Sequence, residues 1–90
     1  MKTPPPPTRA VALEYGDHAA PRVLVRAEGD LAPLLARAAQ ELGIPQWRDE
    51  SLAAVLSQLP LQEEIPEDLY VSVAVVMAWA YWVTGRVPQA

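Results

Sequence analysis

The sequence feature that most constrains the fold is an almost unbroken apolar segment near the carboxyl end, residues 69 to 83. Ser72 interrupts this segment, which is also shorter than the roughly 20 residues that an apolar helix needs to cross a bilayer. Pro66 precedes it and Gly85 follows it, as is typical of the first turn and the carboxyl cap of a helix. We therefore predict a soluble helix over residues 66 to 84.

This predicted helix is apolar on both sides. At about 100° per residue, the side expected to be buried carries Leu69, Val73, Val76, Ala80 and Val83. The opposite side, where a surface helix normally carries charge, has Val71, Val75, Ala78 and Trp82. Exposed apolar patches commonly mark interaction sites, and Trp is a favoured anchor at them. We hypothesise that these four residues contact a partner chain or a second copy; the alternative is that residues 1 to 20 fold over them.

Upstream of this helix, the hydrophobic pattern predicts strands and helices in alternation. Strands are expected at residues 10–15, 22–27 and 44–48, with a brief edge strand at 61–65. Asp30 and Asp49 are candidate N-caps for helices over residues 30–42 and 49–59. The first of these helices should cover the sheet with Leu31, Leu34, Leu35, Ala38 and Leu42. The fold class predicted is α/β, a small mixed four-stranded sheet flanked by three to four helices, with a parallel crossover between residues 22 and 48.

The 90 residues suffice for one domain. We expect a proline-rich flexible tail at residues 1–8, a single α/β domain at 9–86 and a disordered carboxyl terminus at 87–90. The amino terminus lacks the apolar core of a signal peptide, and the chain contains no cysteine, so a cytoplasmic location is expected.

No pattern in the sequence indicates catalysis or a cofactor. His18, the one histidine, lies in a predicted turn beside Asp17, where a nucleophile, a base and an orienting group cannot come together. The carboxylates around Pro66 are interpreted as favourable charges at a helix start and not as a metal site. The net charge of −4 offers no basic stripe for nucleic acid. We predict a protein that binds other proteins, with no catalytic residue, metal or cofactor, and without insertion into a membrane.

Four short motifs, in order, resemble the cytoplasmic domain of the FlhB/YscU/EscU export-switch family, which includes HrcU and SpaS. They are Pro7-Thr8 with residues 10–15, residues 21–23, residues 41–45, and residues 64–70. Together they cover residues 7 to 86. The resemblance implies a part of the type III or flagellar secretion gate that contacts export substrates and other gate components, and a small mixed sheet with flanking helices.

Members of this family cleave themselves at an Asn-Pro-Thr-His sequence, using the asparagine side chain as nucleophile. The corresponding residues here are Pro6, Pro7, Thr8 and Arg9, and the chain contains no asparagine, so the motif is degenerate and self-cleavage is not expected. The family's membrane-spanning half is also missing from the sequence. The resemblance therefore implies a stand-alone homologue of the cleaved fragment, located in the cytoplasm and at the membrane export gate. The alternatives are a truncated relic without an export role, or an unrelated regulatory or adaptor module that binds a soluble partner with the same fold.

Overall fold

The computed structural model of the chain describes residues 7–15 and 20–85. Within these residues the protein is an α/β domain with a two-stranded sheet and three α-helices. The elements are β1 (Arg9–Glu14), β2 (Arg22–Glu28), α1 (Leu31–Glu41), α2 (Glu50–Leu56), a 3₁₀ turn (Glu67–Leu69) and α3 (Tyr70–Thr84). The α/β class is confirmed, whereas a four-stranded sheet is not found among the described residues. Residues 1–6 of the predicted tail at 1–8, and the whole predicted carboxyl terminus at 87–90, lie outside them.

β1 and β2 form an antiparallel hairpin in which Arg9 pairs with Glu28 and Glu14 pairs with Arg22. The register shifts in the middle, because Ala12 pairs with Val25 and Leu13 pairs with Val23. Leu24 is therefore an extra residue on β2, as in a β-bulge. This bulge breaks the alternation of the strand: Val23 is completely buried, while Leu24 and Val25 are both partly exposed.

The third strand expected at residues 44–48 does not form. The Ile44 backbone N–H donates to the carbonyl of Ala39 at 2.9 Å, and the Gln46 side-chain amide donates to the carbonyl of Ala36 at 3.1 Å. Ala39 is one of the last four residues of α1, whose carbonyls lack partners within the helix, so the Ile44 N–H is used there and is not available to a sheet. The Gln46 side chain adds a second contact between this segment and α1. The expected parallel crossover was therefore wrong, and the sheet is antiparallel.

Residues 61–65 contact β2 without forming a regular strand. The N–H groups of Gln62 and Ile65 donate to the carbonyls of Val23 and Pro21, each at 2.9 Å, and Glu64 makes an isolated bridge with Arg22. Gln62 has a positive φ of 69°, which turns the chain and interrupts the pairing. The predicted edge strand is reduced to these contacts, which hold the start of α3 beside the hairpin.

The sheet-facing side of α1 also differs from the prediction. Ala32 is completely buried, whereas Leu31, Leu34 and Leu42 are 63%, 58% and 75% exposed. The helix contacts both strands, and a small alanine side chain allows a close approach to the hairpin. The prediction was wrong because it took the buried face from the helical spacing of the apolar residues, which does not show how closely the two layers pack.

The core is formed by Val23, Leu56, Ile65 and Val73, one each from β2, α2, the segment before the 3₁₀ turn, and α3. Around it pack Val11, Leu13, Leu52, Leu59, Leu69 and Met77. Of the α3 residues predicted to be buried, Val73 is buried, and Leu69, Val76 and Ala80 are half-buried. Val83 was predicted wrongly, since it is 50% exposed. It lies in the last turn of the helix, beyond the core.

Candidate protein-binding surface

An apolar groove of about 330 Å³ lies between α3 and the end of the hairpin where β1 leads towards β2. One wall is formed by residues that come directly after β1 or just before β2, and the other wall is a face of α3. The lining residues are Tyr15, Ala20, Pro21, Tyr70, Ala74, Met77, Ala78 and Tyr81. None of them is charged, so the groove suits apolar side chains of a bound segment better than an ion.

One face of the α3 helix forms one wall of this groove. Tyr70, Ala74, Met77 and Tyr81 recur every three or four residues and therefore lie on one face. The short side chain of Ala74 stands between two tyrosines, so the face is recessed in the middle. The phenol rings at both ends can contribute apolar area and a hydroxyl group to a bound segment.

The other wall is held in place by backbone hydrogen bonding. Ala20 is 2% exposed, and the carbonyl of the next residue, Pro21, accepts from the Ile65 N–H. Because Ile65 is a core residue shortly before α3, this bond holds the groove's two walls beside each other. The relative position of the two walls is therefore fixed by the backbone, whereas the groove's lining is formed largely by side chains.

The four residues predicted as a partner interface lie together on the outward side of α3, and we call them the outer stripe. Val71, Val75 and Trp82 are 78%, 53% and 82% exposed, and Ala78 is exposed as well. Ala78 also lines the groove, so the outer stripe and the groove adjoin. An apolar helix face of this extent is unusual on a monomeric protein.

The degenerate cleavage motif lies at the other end of the hairpin from the groove. Pro6 is outside the described residues, as is His18. The carbonyl of Thr8 accepts a hydrogen bond from the Gly29 N–H at 3.0 Å, and the Arg9 guanidinium lies 3.9 Å from a Glu28 carboxylate oxygen. Pro7 directly precedes these two residues. The motif residues that are described therefore serve to start β1.

The sequence prediction identified the outer stripe but missed the groove. The spacing of Tyr70, Ala74 and Tyr81 could have indicated a recessed face on α3. Nothing local connects that face to Tyr15 or Pro21, which are about 50 residues away in the sequence.

Among the described residues, no cluster of three or more histidine, cysteine or acidic side chains could hold a metal ion.

The helices of the described part of the chain fall short of a membrane span. None of them is both long and apolar enough to cross a bilayer. α3, the most apolar, has 15 residues.

The chain is similar to one protein family and to two known proteins. The model of the FlhB HrpN YscU SpaS Family matches residues 5–80. The uncharacterized protein YlqH of Bacillus subtilis (strain 168) is 34% identical over 83 residues, which cover 90% of this chain and 89% of YlqH. The hypersensitivity response secretion protein HrcU of Ralstonia nicotianae (strain ATCC BAA-1114 / GMI1000) is 36% identical over 72 residues, or 78% of this chain. The chain spans only 20% of the length of HrcU.

A solved structure shows the same fold. The crystal structure of the PscU C-terminal domain aligns with a TM-score of 0.74 and 32% sequence identity. The alignment covers 82% of this chain and 98% of the PscU domain. The similarity therefore extends over nearly the whole of that domain.

Proposed function

Because the chain belongs to the FlhB/HrpN/YscU/SpaS family and is of its C-terminal export-switch domain type, we propose that it is a protein-binding component of the type III or flagellar export apparatus. The alignment with almost the entire PscU C-terminal domain supports this proposal. The protein acts in the cytoplasm, at the membrane export gate, where it contacts gate components and proteins to be exported.

The observation that carries the proposal is the apolar groove between α3 and the hairpin. Its volume of about 330 Å³ is at the lower end of the roughly 300–1,000 Å³ typical of ligand pockets. A groove of this size accommodates a few apolar side chains from a short segment and not a folded domain. A chain that has not folded exposes such segments, which its folded state would bury. The groove binds one of them while the rest of the substrate remains outside.

The protein works without catalysis, and its degenerate cleavage motif is part of this proposal. Pro6 has no side-chain amide, and the chain contains no asparagine that could act as the nucleophile. The mass of the purified chain, followed over days at neutral pH, is expected to stay that of the intact polypeptide. Fragments cut between Pro6 and Pro7 would contradict the loss of self-cleavage.

The proposed function is tested by supplying the chain to cells whose export-switch protein lacks its C-terminal domain, and measuring protein export into the medium. We expect partial restoration of export. Ala74→Glu, which places a charge in the middle of the groove, should abolish the restoration. Ser72→Glu is the matched control, because it introduces the same negative charge at an exposed position of the same helix outside the groove.

Co-purification with the gate proteins is measured in the same cells. If export is not restored and no gate protein co-purifies, the proposed role in export is wrong. If Ala74→Glu restores export as well as Ser72→Glu does, the groove is not the binding site.

A further inference from the structure

We propose that the outer stripe of α3 is a self-association surface, through which two copies of the chain pair with their α3 helices antiparallel about a two-fold axis. This inference goes beyond the proposed export function and does not depend on it. The occupant of the stripe is a second copy of the same chain.

Both ends of the outer stripe are exposed to solvent. Val71 and Trp82 are 78% and 82% exposed, so no described residue covers either end of the stripe. A tryptophan side chain buries on the order of 150–250 Å² when it is enclosed. Leaving most of that area in water next to exposed valines is costly in solution. A stable interface recovers this free energy.

The outer stripe lies on a helix without charged side chains. α3 contains no charged residue from Tyr70 to Thr84, although the whole chain carries a net charge of −4. Two copies repel one another wherever their acidic surfaces face each other, and like charges opposite each other in a contact are costly. The uncharged α3 helix allows a close approach of two copies without any charge inside the contact. A partner recognised through opposite charge would find no complementary group on this stripe.

The spacing of the outer stripe is the same in both directions along the helix, which fits a two-fold contact. Val71, Val75, Ala78 and Trp82 are separated by four, three and four residues. In a two-fold contact, whenever residue i of one copy touches residue j of the other, j also touches i. Reversing α3 about the point between residues 76 and 77 exchanges Val71 with Trp82 and Val75 with Ala78. This spacing is that of the apolar seam along which helices pack in coiled coils.

The sizes of the side chains fit this antiparallel arrangement. At the centre, Val75 of one copy lies opposite Ala78 of the other, and the short alanine allows the helices to approach closely. At each end, the large Trp82 side chain lies against Val71 and not against a second tryptophan. A parallel pairing would place Trp82 against Trp82 at one end and leave Val71 against Val71 at the other.

Neighbouring residues enlarge the contact. A stable interface hides about 800 Å² per partner, more than four residues of one helix supply. Trp47, which is 42% exposed, packs against Trp79, and Trp79 is adjacent to Val75 on the helical wheel of α3. Trp47 therefore extends the apolar surface beyond the helix itself. We expect a dimer whose population depends on protein concentration in solution.

The dimer is tested by light scattering coupled to size-exclusion chromatography over a hundredfold range of concentration. The expected mass rises towards twice the 9.8 kDa of one chain as the concentration increases. Val71→Glu and Trp82→Glu should each raise the dissociation constant at least tenfold. Leu34→Glu is the matched control, because it introduces the same charge at an exposed apolar residue of α1, and it should leave the dimer intact. Circular dichroism confirms that each variant is folded.

Cross-linking tests the direction of pairing. Because the chain contains no cysteine, a single introduced cysteine can be linked only to the same position in another copy. In the antiparallel pair, the two copies of residue 78 are offset by about 4–5 Å along the axis, and those of residue 71 by about 16 Å. A short bifunctional maleimide should therefore cross-link Ala78→Cys efficiently and Val71→Cys at least tenfold less.

Three results would each overturn the proposal. One is a chain that stays monomeric at every concentration. Another is a dimer that Leu34→Glu dissociates and Trp82→Glu does not, since the leucines of α1 would then form the contact. The last is equal cross-linking of Val71→Cys and Ala78→Cys, which is the pattern of a parallel pair.

Discussion

Trp47 and Trp79 pack edge to face, with their ring centroids 5.3 Å apart and an angle of 71° between the rings. Trp47 belongs to the segment between α1 and α2, and Trp79 lies in the middle of α3. This contact, together with the hydrogen bonds from Ile44 and Gln46 to α1, holds an irregular segment in place without a sheet. The segment therefore connects the first and the last helix of the domain.

We predict that this aromatic pair contributes about 0.5–1.5 kcal/mol to the free energy of unfolding beyond the burial of each ring. Trp47→Ala and Trp79→Ala, measured singly and together by urea unfolding at one fixed protein concentration, should show a coupling energy of that size. Trp47→Ala combined with Leu34→Ala is the control, and those two effects should add. Additivity of the two tryptophan variants would contradict an energetic role for the contact.

The two aspartates at helix starts should differ in their contribution to stability. Asp49 caps α2, because its Oδ1 accepts a hydrogen bond from the Leu52 N–H at 3.0 Å. Asp30 precedes α1 but has helical backbone angles and makes no capping hydrogen bond with its side chain. Asp49→Ala should lower the free energy of unfolding by about 1 kcal/mol, and Asp30→Ala by no more than a few tenths. Thermal unfolding distinguishes the two, and equal losses would refute the difference in capping.

The bulge at Leu24 makes neighbouring valines of β2 unequal. Val23 is completely buried in the core, whereas Val25 is 42% exposed. Val23→Ala removes two buried methyl groups and leaves a cavity, so it should cost about 2–3 kcal/mol. Val25→Ala should cost less than about 1 kcal/mol. Urea denaturation of both variants checks this prediction, which fails if Val25→Ala is the more damaging change.

Arg26 connects the hairpin to the end of α2. Its guanidinium Nη1 donates to the carbonyls of Ser57 at 3.0 Å and Leu59 at 2.6 Å, both in the turn that follows the helix. Arg26→Ala leaves these carbonyls to water, and because the site is partly exposed we expect a loss of about 1 kcal/mol. Arg26→Lys keeps the charge and one donor group, so it should lose less. Chemical unfolding of both variants is the measurement, and an unchanged stability of Arg26→Ala would show that the two bonds contribute nothing net.

The local parts of the fold could be predicted from the sequence. The α3 helix ends where Gly85 predicts, with the glycine at a positive φ of 73°, and Asp49 caps α2 as expected. Such features depend on residues within a few positions of one another, so they can be predicted from the local sequence. The family could also be identified, because its motifs retain their order along the chain. Asp30 shows the limit of this approach, since it occupies the predicted position but makes no cap.

The sequence by itself thus determined the family, the helix positions, the two strands and the apolar character of both sides of α3. Only the tertiary structure decided which side of α1 faces the sheet, where residues 44–48 lie, and that Tyr15 and Pro21 meet α3 to form a groove. Each of these outcomes depends on contacts between residues that are distant in the sequence. The same segment could form hydrogen bonds with a helix end or a sheet edge, or could pack into the core. Only the folded chain shows which of these contacts forms.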